Sequence, residues 1–166
     1  FPYTTLFRSG SNRKNRGNRF LTIIQYCLDL AITLDSLWDA TTPDARLIFV
    51  MGRESRVRGV PFFNGQIAAN LAIEAVGYDL SLRQERVFTN RFGQQIFEDI
   101  VHFEKSEHRK PSGSTLEVAR KVAKATLENG LNHAETDDIK GDLMDALNRV
   151  NEVKESPRYK RQESKN

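Results

Sequence analysis

Tyr78–Phe103, YDLSLRQERVFTNRFGQQIFEDIVHF, is the stretch that decides the fold. Tyr78, Leu80 and Leu82 alternate with polar residues, and the run turns wholly polar from Arg83 to Arg86. That pattern predicts an edge strand over Tyr78–Phe88. In the next run, Ile96–Phe103, Ile96 and Ile100 fall on one face and Phe97, Val101 and Phe103 on the other. Apolar residues on both faces predict a central strand. Only Asn90-Arg91-Phe92-Gly93-Gln94 separates the core of the two runs, too little chain for a helical crossover, so they form an antiparallel hairpin. Asn90 suits a turn because asparagine tolerates the backbone angles a turn needs. Glu98 and Asp99 alternate to opposite faces, so they make no carboxylate pair and read as structural.

Upstream of the hairpin, Asn18–Trp38 carries apolar residues at the three-four spacing of one helical face: Phe20, Ile23, Ile24, Cys27, Leu30, Ala31, Leu34, Leu37 and Trp38. Thr41-Thr42-Pro43 ends that helix. Ala45–Met51, ARLIFVM, is short and apolar on both faces, which is how a buried parallel strand reads. Gly52–Phe63 reads as a loop. A second helix follows over Asn64–Ala75, with Asn64 as its N-cap and Gly77 as its stop. An all-parallel sheet would need another helix between the last two strands, and none is there. The last strand must therefore insert antiparallel beside Ala45–Met51, leaving Tyr78–Phe88 outside it. The fold class is α/β.

Downstream, the polar, proline-bearing residues 106–113 read as a linker. Ser114-Thr115-Leu116-Glu117 matches a capping box and opens a helix to about Asn129, stopped by Gly130. Another helix runs from Ile139 to Val150, so residues 114–153 form a helical extension, and 154–166 a disordered basic tail. At the other end, FPYTTLFRSG starts with Phe rather than Met and has no apolar core of signal-peptide length. Residues 1–17 are expected to be a non-native or disordered leader, ahead of a domain over 18–105.

The chain of 166 residues is 39% hydrophobic and 28% charged, the balance of a globular protein with a modest core. No apolar run reaches bilayer-spanning length, which argues against a membrane span or a membrane partner. With one cysteine, Cys27, there is neither an internal disulfide nor a cysteine metal cluster, which suits a cytoplasmic setting. His102, His108 and His133 do not fall at zinc-ligand spacing, and no metal is expected. The net charge of +3 is a weak sign of an anionic partner. Its clusters say more: Arg8–Arg19 holds five cations and no acid, Arg53–Arg58 holds three arginines, and Lys154–Lys165 is again basic. Solvated loops and frayed ends give the same pattern.

VMGRESRVRGVPFFNGQIAANLAIEAVGYDL (Val50–Leu80) followed by RQERVFTNRFGQQIFEDIVHFEK (Arg83–Lys105) resembles the late motifs of bacterial class I, S-adenosylmethionine-dependent, site-specific DNA methyltransferases that methylate base amino groups. The resemblance covers about Asn18 to Lys105. It implies the C-terminal half of a Rossmann-like methyltransferase sheet, with S-adenosylmethionine as cofactor of the intact protein and DNA as partner. It also implies adenine N6 as the preferred target, and it admits a partner restriction endonuclease. Two features of that family are missing here: the glycine-rich cofactor turn, and the Asn/Asp/Ser-Pro-Pro-aromatic motif that holds the flipped base. No catalytic or cofactor-binding residue is therefore carried over, and the chain alone is expected to be inactive.

Ligands of open α/β sheets bind beyond the carboxyl ends of parallel strands, where Gly52–Phe63 would lie. Arg53, Arg56 and Arg58 are accordingly expected to bind DNA phosphates there, with Ser55 adding a hydrogen bond and Gly59 allowing close backbone approach. A structural role stays open, with Glu54 pairing to a neighbouring arginine. On the residues alone, two other functions also stay open: a non-enzymatic DNA-binding module, and a methyltransferase acting on RNA or protein.

Overall fold

The computed structural model describes residues 17–106 and 114–157. Most of the expected leader, the linker over 107–113 and the tail from 158 onward lie outside the described residues. The elements are helix α1 (Leu21–Ala40), strands β1 (Arg46–Gly52), β2 (Glu54–Val57) and β3 (Val60–Phe63), and helix α2 (Asn64–Asn70), which continues as a π-helical segment (Leu71–Val76). Strands β4 (Tyr78–Thr89) and β5 (Gln95–Lys105) and helices α3 (Thr115–Leu131) and α4 (Asp137–Asn148) complete it. The architecture is α/β, with a small antiparallel sheet and helices.

The main sheet runs β1-β5-β4, with β5 antiparallel to both neighbours. The last strand thus sits backwards beside β1 and leaves the polar strand outside, in the order expected. Strands β1 and β4, each antiparallel to β5, are parallel to one another, and their carboxyl ends meet at the hairpin end of the sheet.

The inner face of the sheet carries Leu47, Val101, Phe103 and Tyr78, all buried, and packs on α2 and its π-helical continuation. Helices α1 and α3 lie behind that continuation. Tyr78 joins the layers: its ring meets Trp38 edge-on at 4.8 Å, and its hydroxyl donates to the Leu34 carbonyl. One apolar cluster includes Ile24 and Leu28 of α1, Leu71 of the π-helical segment, Leu127 of α3 and Leu143 of α4, so both C-terminal helices share the core. Asn18 and Arg58 fasten the second: the amide of Asn18 donates to Asp145, 2.9 Å away, and Arg58 pairs with Asp138 and Asp142.

Several sequence expectations change. β1 is an edge strand paired antiparallel to β5, not a strand buried among parallel neighbours. Its outer residues Ile48 and Val50 are more than half exposed, because among the described residues nothing packs on that face. Gly52–Phe63 is a β-hairpin rather than a loop, closed by Arg58 (φ 52°) and Gly59 (φ 87°). Two left-handed residues in a row give the twist a two-residue hairpin turn needs. Asn64 is the first residue of α2 and not its cap. Ser114 precedes α3 without a side-chain cap, so the capping box does not close. Gly130 lies within α3, where Phe62 and Val60 press to 3.3 Å of the space a Cβ would take. Helix α4 has a cap the sequence reading passed over, Thr136, whose side chain accepts from Ile139 N. Finally, α1 is long and apolar enough to cross a bilayer by length and composition. Here its apolar stripe, Ile23, Ile24, Cys27, Leu28, Ala31 and Leu34, is buried in the core.

Burial in that stripe pushes the Cys27 thiol up to about 12 from the ordinary 9.0, by desolvation of its charged form. The thiolate is the reactive species, so alkylation of the folded chain by iodoacetamide at pH 8, followed by mass spectrometry, should run roughly a thousandfold slower than in denaturant. The stability tied to this thiol is present below pH 9 and declines above it, as the unfolded chain ionises first.

Candidate functional site

At the carboxyl ends of β1 and β4 the chain places one fully buried carboxylate, Asp99. Its residue faces inward from β5, opposite Glu85 of β4. Arg83 Nη2 donates to Asp99 Oδ2 at 2.8 Å. Arg53, which joins β1 to β2, brings its Nε to 3.8 Å from Asp99 Oδ1 and its Nη2 to 2.9 Å from Glu85 Oε2. Neither Arg53 Nε nor Asp99 Oδ1 makes a hydrogen bond, although both are buried. The guanidinium also lies over the Phe97 ring, 4.9 Å from its centroid. Behind the carboxylate, Gly65 leaves room that no other residue would: a Cβ there would fall 2.3 Å from Asp99 Oδ2 and 3.0 Å from its Cβ.

A β-bulge makes this cluster possible. Leu80 pairs with Phe103 and Leu82 with His102, so Ser81 is the extra residue and the alternation reverses there. Leu82 consequently turns outward, away from the face that Leu80 occupies. Arg83 and Glu85 turn inward onto Asp99. Without the bulge, Gln84 and Arg86 would face inward instead. The sequence reading followed Tyr78, Leu80 and Leu82 as one face and so missed Arg83, Glu85 and Gly65. The usable signal was Asp99 itself, a charge on the face of β5 that otherwise carries Phe97, Val101 and Phe103.

The four residues expected to hold DNA phosphates are not gathered at one point. Arg53 is committed to Asp99 and Glu85. Ser55 shares hydrogen bonds with Asn64, whose amide also donates to the Gly52 carbonyl at 2.8 Å. Asn64 therefore ties the β2–β3 hairpin to the end of β1. Arg56 is the most open of the three arginines, 61% exposed, with Glu54 of its own strand as its ion-pair partner at 2.7 Å. Arg58 sits at the hairpin turn and spends its charge on α4, and the hydrogen bond it donates to Asp138 is the main reason its pKa is raised. Glu98, on the outer face, pairs with Arg86. An open groove beside the cluster is lined by Gly52, Arg53, Glu54, Gln95, Ile96 and Phe97.

Chemically, this end of the sheet offers cations, amides and aromatic rings. Asp99 is closed in by two arginines and a helix, so it is not free to act as a base. Among the described residues no group of three or more His, Cys, Asp or Glu could hold a metal ion. No family model, curated protein or solved structure matches the chain.

The fit between Gly65 and Asp99 is steric, so it can be separated from a general effect of losing a glycine. Gly65→Ala should lower unfolding free energy in urea by about 1–3 kcal/mol, the cost of overpacking a site that cannot give way. Gly52→Ala, where nothing lies within 4 Å of the added carbon, should stay within about 0.5 kcal/mol of the parent.

Proposed function

We propose that this chain is the C-terminal half of a class I methyltransferase, which in its intact form transfers a methyl group from S-adenosylmethionine to an exocyclic amino group of DNA, adenine N6 by preference. The observation that supports this reading is the strand order. Two parallel strands, β1 and β4, flank an inserted antiparallel β5, which is how a methyltransferase sheet ends and how an ordinary dinucleotide-binding sheet does not. The late sequence motifs quoted above supply the rest of the argument.

The residues present do not fit the cofactor. There is no glycine-rich turn after a first strand and no Pro-Pro-aromatic motif, so no chemical step is assigned to this chain. Its contribution is one wall of the cleft. The Arg53–Asp99–Arg83 cluster stiffens the carboxyl end of the sheet. Arg56 is the side chain of the arginine cluster with the freest access to a phosphate. A cytoplasmic setting and a partner nuclease belong to the same proposal.

The test is transfer of labelled methyl groups to duplex DNA. The 166-residue chain alone should give none. The chain joined to the segment encoded immediately upstream should label adenine N6, and that segment should carry a glycine-rich turn and an Asp-Pro-Pro-Tyr-like motif. Transfer by the short chain alone would overturn the half-enzyme reading. An upstream segment without those motifs would overturn the methyltransferase reading and favour a DNA-binding module.

A further inference from the structure

The β4–β5 hairpin outruns its sheet. Pairing between β1 and β5 stops at Gly52↔Glu98, whereas β4 and β5 go on pairing through Val87↔Phe97, Phe88↔Ile96 and Thr89↔Gln95. The tip is therefore a two-stranded ribbon, apolar on both faces. Val87 and Phe97 lie on one side and Phe88 on the other, each more than two-fifths exposed. At its end Phe92 is 72% exposed, far more than its apolar ring favours.

The turn is built to hold that ring out. Asn90 Oδ1 accepts from Phe92 N at 2.9 Å and from Gln94 N at 3.0 Å, Asn90 N donates to the Gln94 carbonyl, and Gly93 takes the left-handed angle (φ 77°) that closes the loop. With Gly93 N donating to the Asn90 carbonyl and Asn90 Nδ2 to Gln94 Oε1 as well, the turn has little entropy to lose on binding. From Val87 to Phe97 there is no acid, and Arg91 is the one charged residue. Among the described residues it meets no carboxylate, and its guanidinium stacks 4.7 Å from the Phe92 centroid. Gln95 adds an amide of the kind that contacts base edges, while the Gln94 side-chain oxygen is taken by Asn90 Nδ2 at 3.2 Å.

From these features we infer that the β4–β5 turn is a DNA wedge: Phe92 enters the base stack while Arg91 takes an adjacent phosphate. The inference rests on the reading that DNA is the partner, and names the part of the chain that distorts it. The charge favours nucleic acid over an acidic or neutral protein surface, since the tip presents a cation with no carboxylate partner among the described residues. Two-stranded ribbons fit DNA grooves, and apolar side chains inserted from the minor groove unstack base steps. The tip also projects from the carboxyl end of β1 and β4, where open α/β sheets bind ligands, which puts the distortion next to the cleft.

Binding of the full 166-residue chain to a fluorescein-labelled duplex, followed by anisotropy over a range of salt, tests this. A second duplex carries a central mismatch, for which the cost of unstacking is already partly met. The parent chain should prefer the mismatched duplex. Phe92→Ala should bind about tenfold more weakly and lose that preference, and Phe92→Tyr, which keeps the ring, should restore both. Arg91→Ala should reduce the slope of log K against log salt by about 1. If the parent binds but Phe92→Ala and Arg91→Ala bind as the parent does, the wedge is wrong and DNA remains the partner. If the parent binds neither duplex at low salt, the wedge fails together with the DNA reading. Sedimentation showing a dimer for the parent and a monomer for Phe92→Ala would overturn the wedge in favour of self-association.

Discussion

Asp99 takes a carboxylate into a place water does not reach, and the neighbouring residues are arranged around the cost of doing so. An unpaired buried carboxylate is strongly unfavourable, so the fold supplies Arg83 at hydrogen-bond distance, Arg53 just beyond it and a helix start with no side chain in the way. Each element of the carboxyl end of the sheet gives something: β5 the acid, β4 one arginine and Glu85, the β1–β2 junction the other arginine, and α2 its glycine. Both arginines keep some contact with solvent, so the pairs hold geometry more than they add stability. What they secure is register. A one-residue slip of β5 would turn Asp99 outward and put an unmatched residue among the arginines.

This arrangement also explains why the cluster of arginines in the sequence does not become a cluster in space. Arg53, Arg56 and Arg58 crowd the first strand of one short hairpin and its two ends, which suggests a shared purpose. The hairpin turn then carries Arg58 to α4, the pleat leaves Arg56 facing solvent beside Glu54, and the buried acid captures Arg53. Electrostatic demand inside the protein came before demand from any ligand. On the neighbouring hairpin, Arg91 meets no carboxylate among the described residues and lies against the exposed Phe92 ring.

Elements with strong periodicity were readable in advance. The stripe from Phe20 to Trp38, the apolar run of β1 and the two-faced pattern of β5 each specify an element, and the short link at Asn90–Gln94 specifies how the last two pair. The strand order followed because a link that short excludes a crossover. Features that depend on a single residue's backbone were not readable. The β2–β3 turn uses Arg58-Gly59 in place of the familiar Asn-Gly, the π-helical segment after Asn70 keeps the same apolar spacing as an ordinary helix, and the bulge at Ser81 leaves no mark in composition. The site failed to emerge for the same reason: Arg83 and Glu85 join Asp99 only after the bulge has reversed the strand's faces.

That reversal makes Ser81 a spacer whose position outside the ladder matters more than its presence. Facing is set by pairing: Leu82 opposes His102, Arg83 opposes Val101 and Glu85 opposes Asp99. Removing Ser81 would close the ladder into an unbroken strand with the same partners, Leu82 outward and Arg83 and Glu85 still on Asp99. Drawing Ser81 into the ladder would instead push every later residue one step along β5, turn Leu82 to the core and leave the partners of Asp99 in solvent, so this strand can lose its extra residue far more safely than it can absorb it.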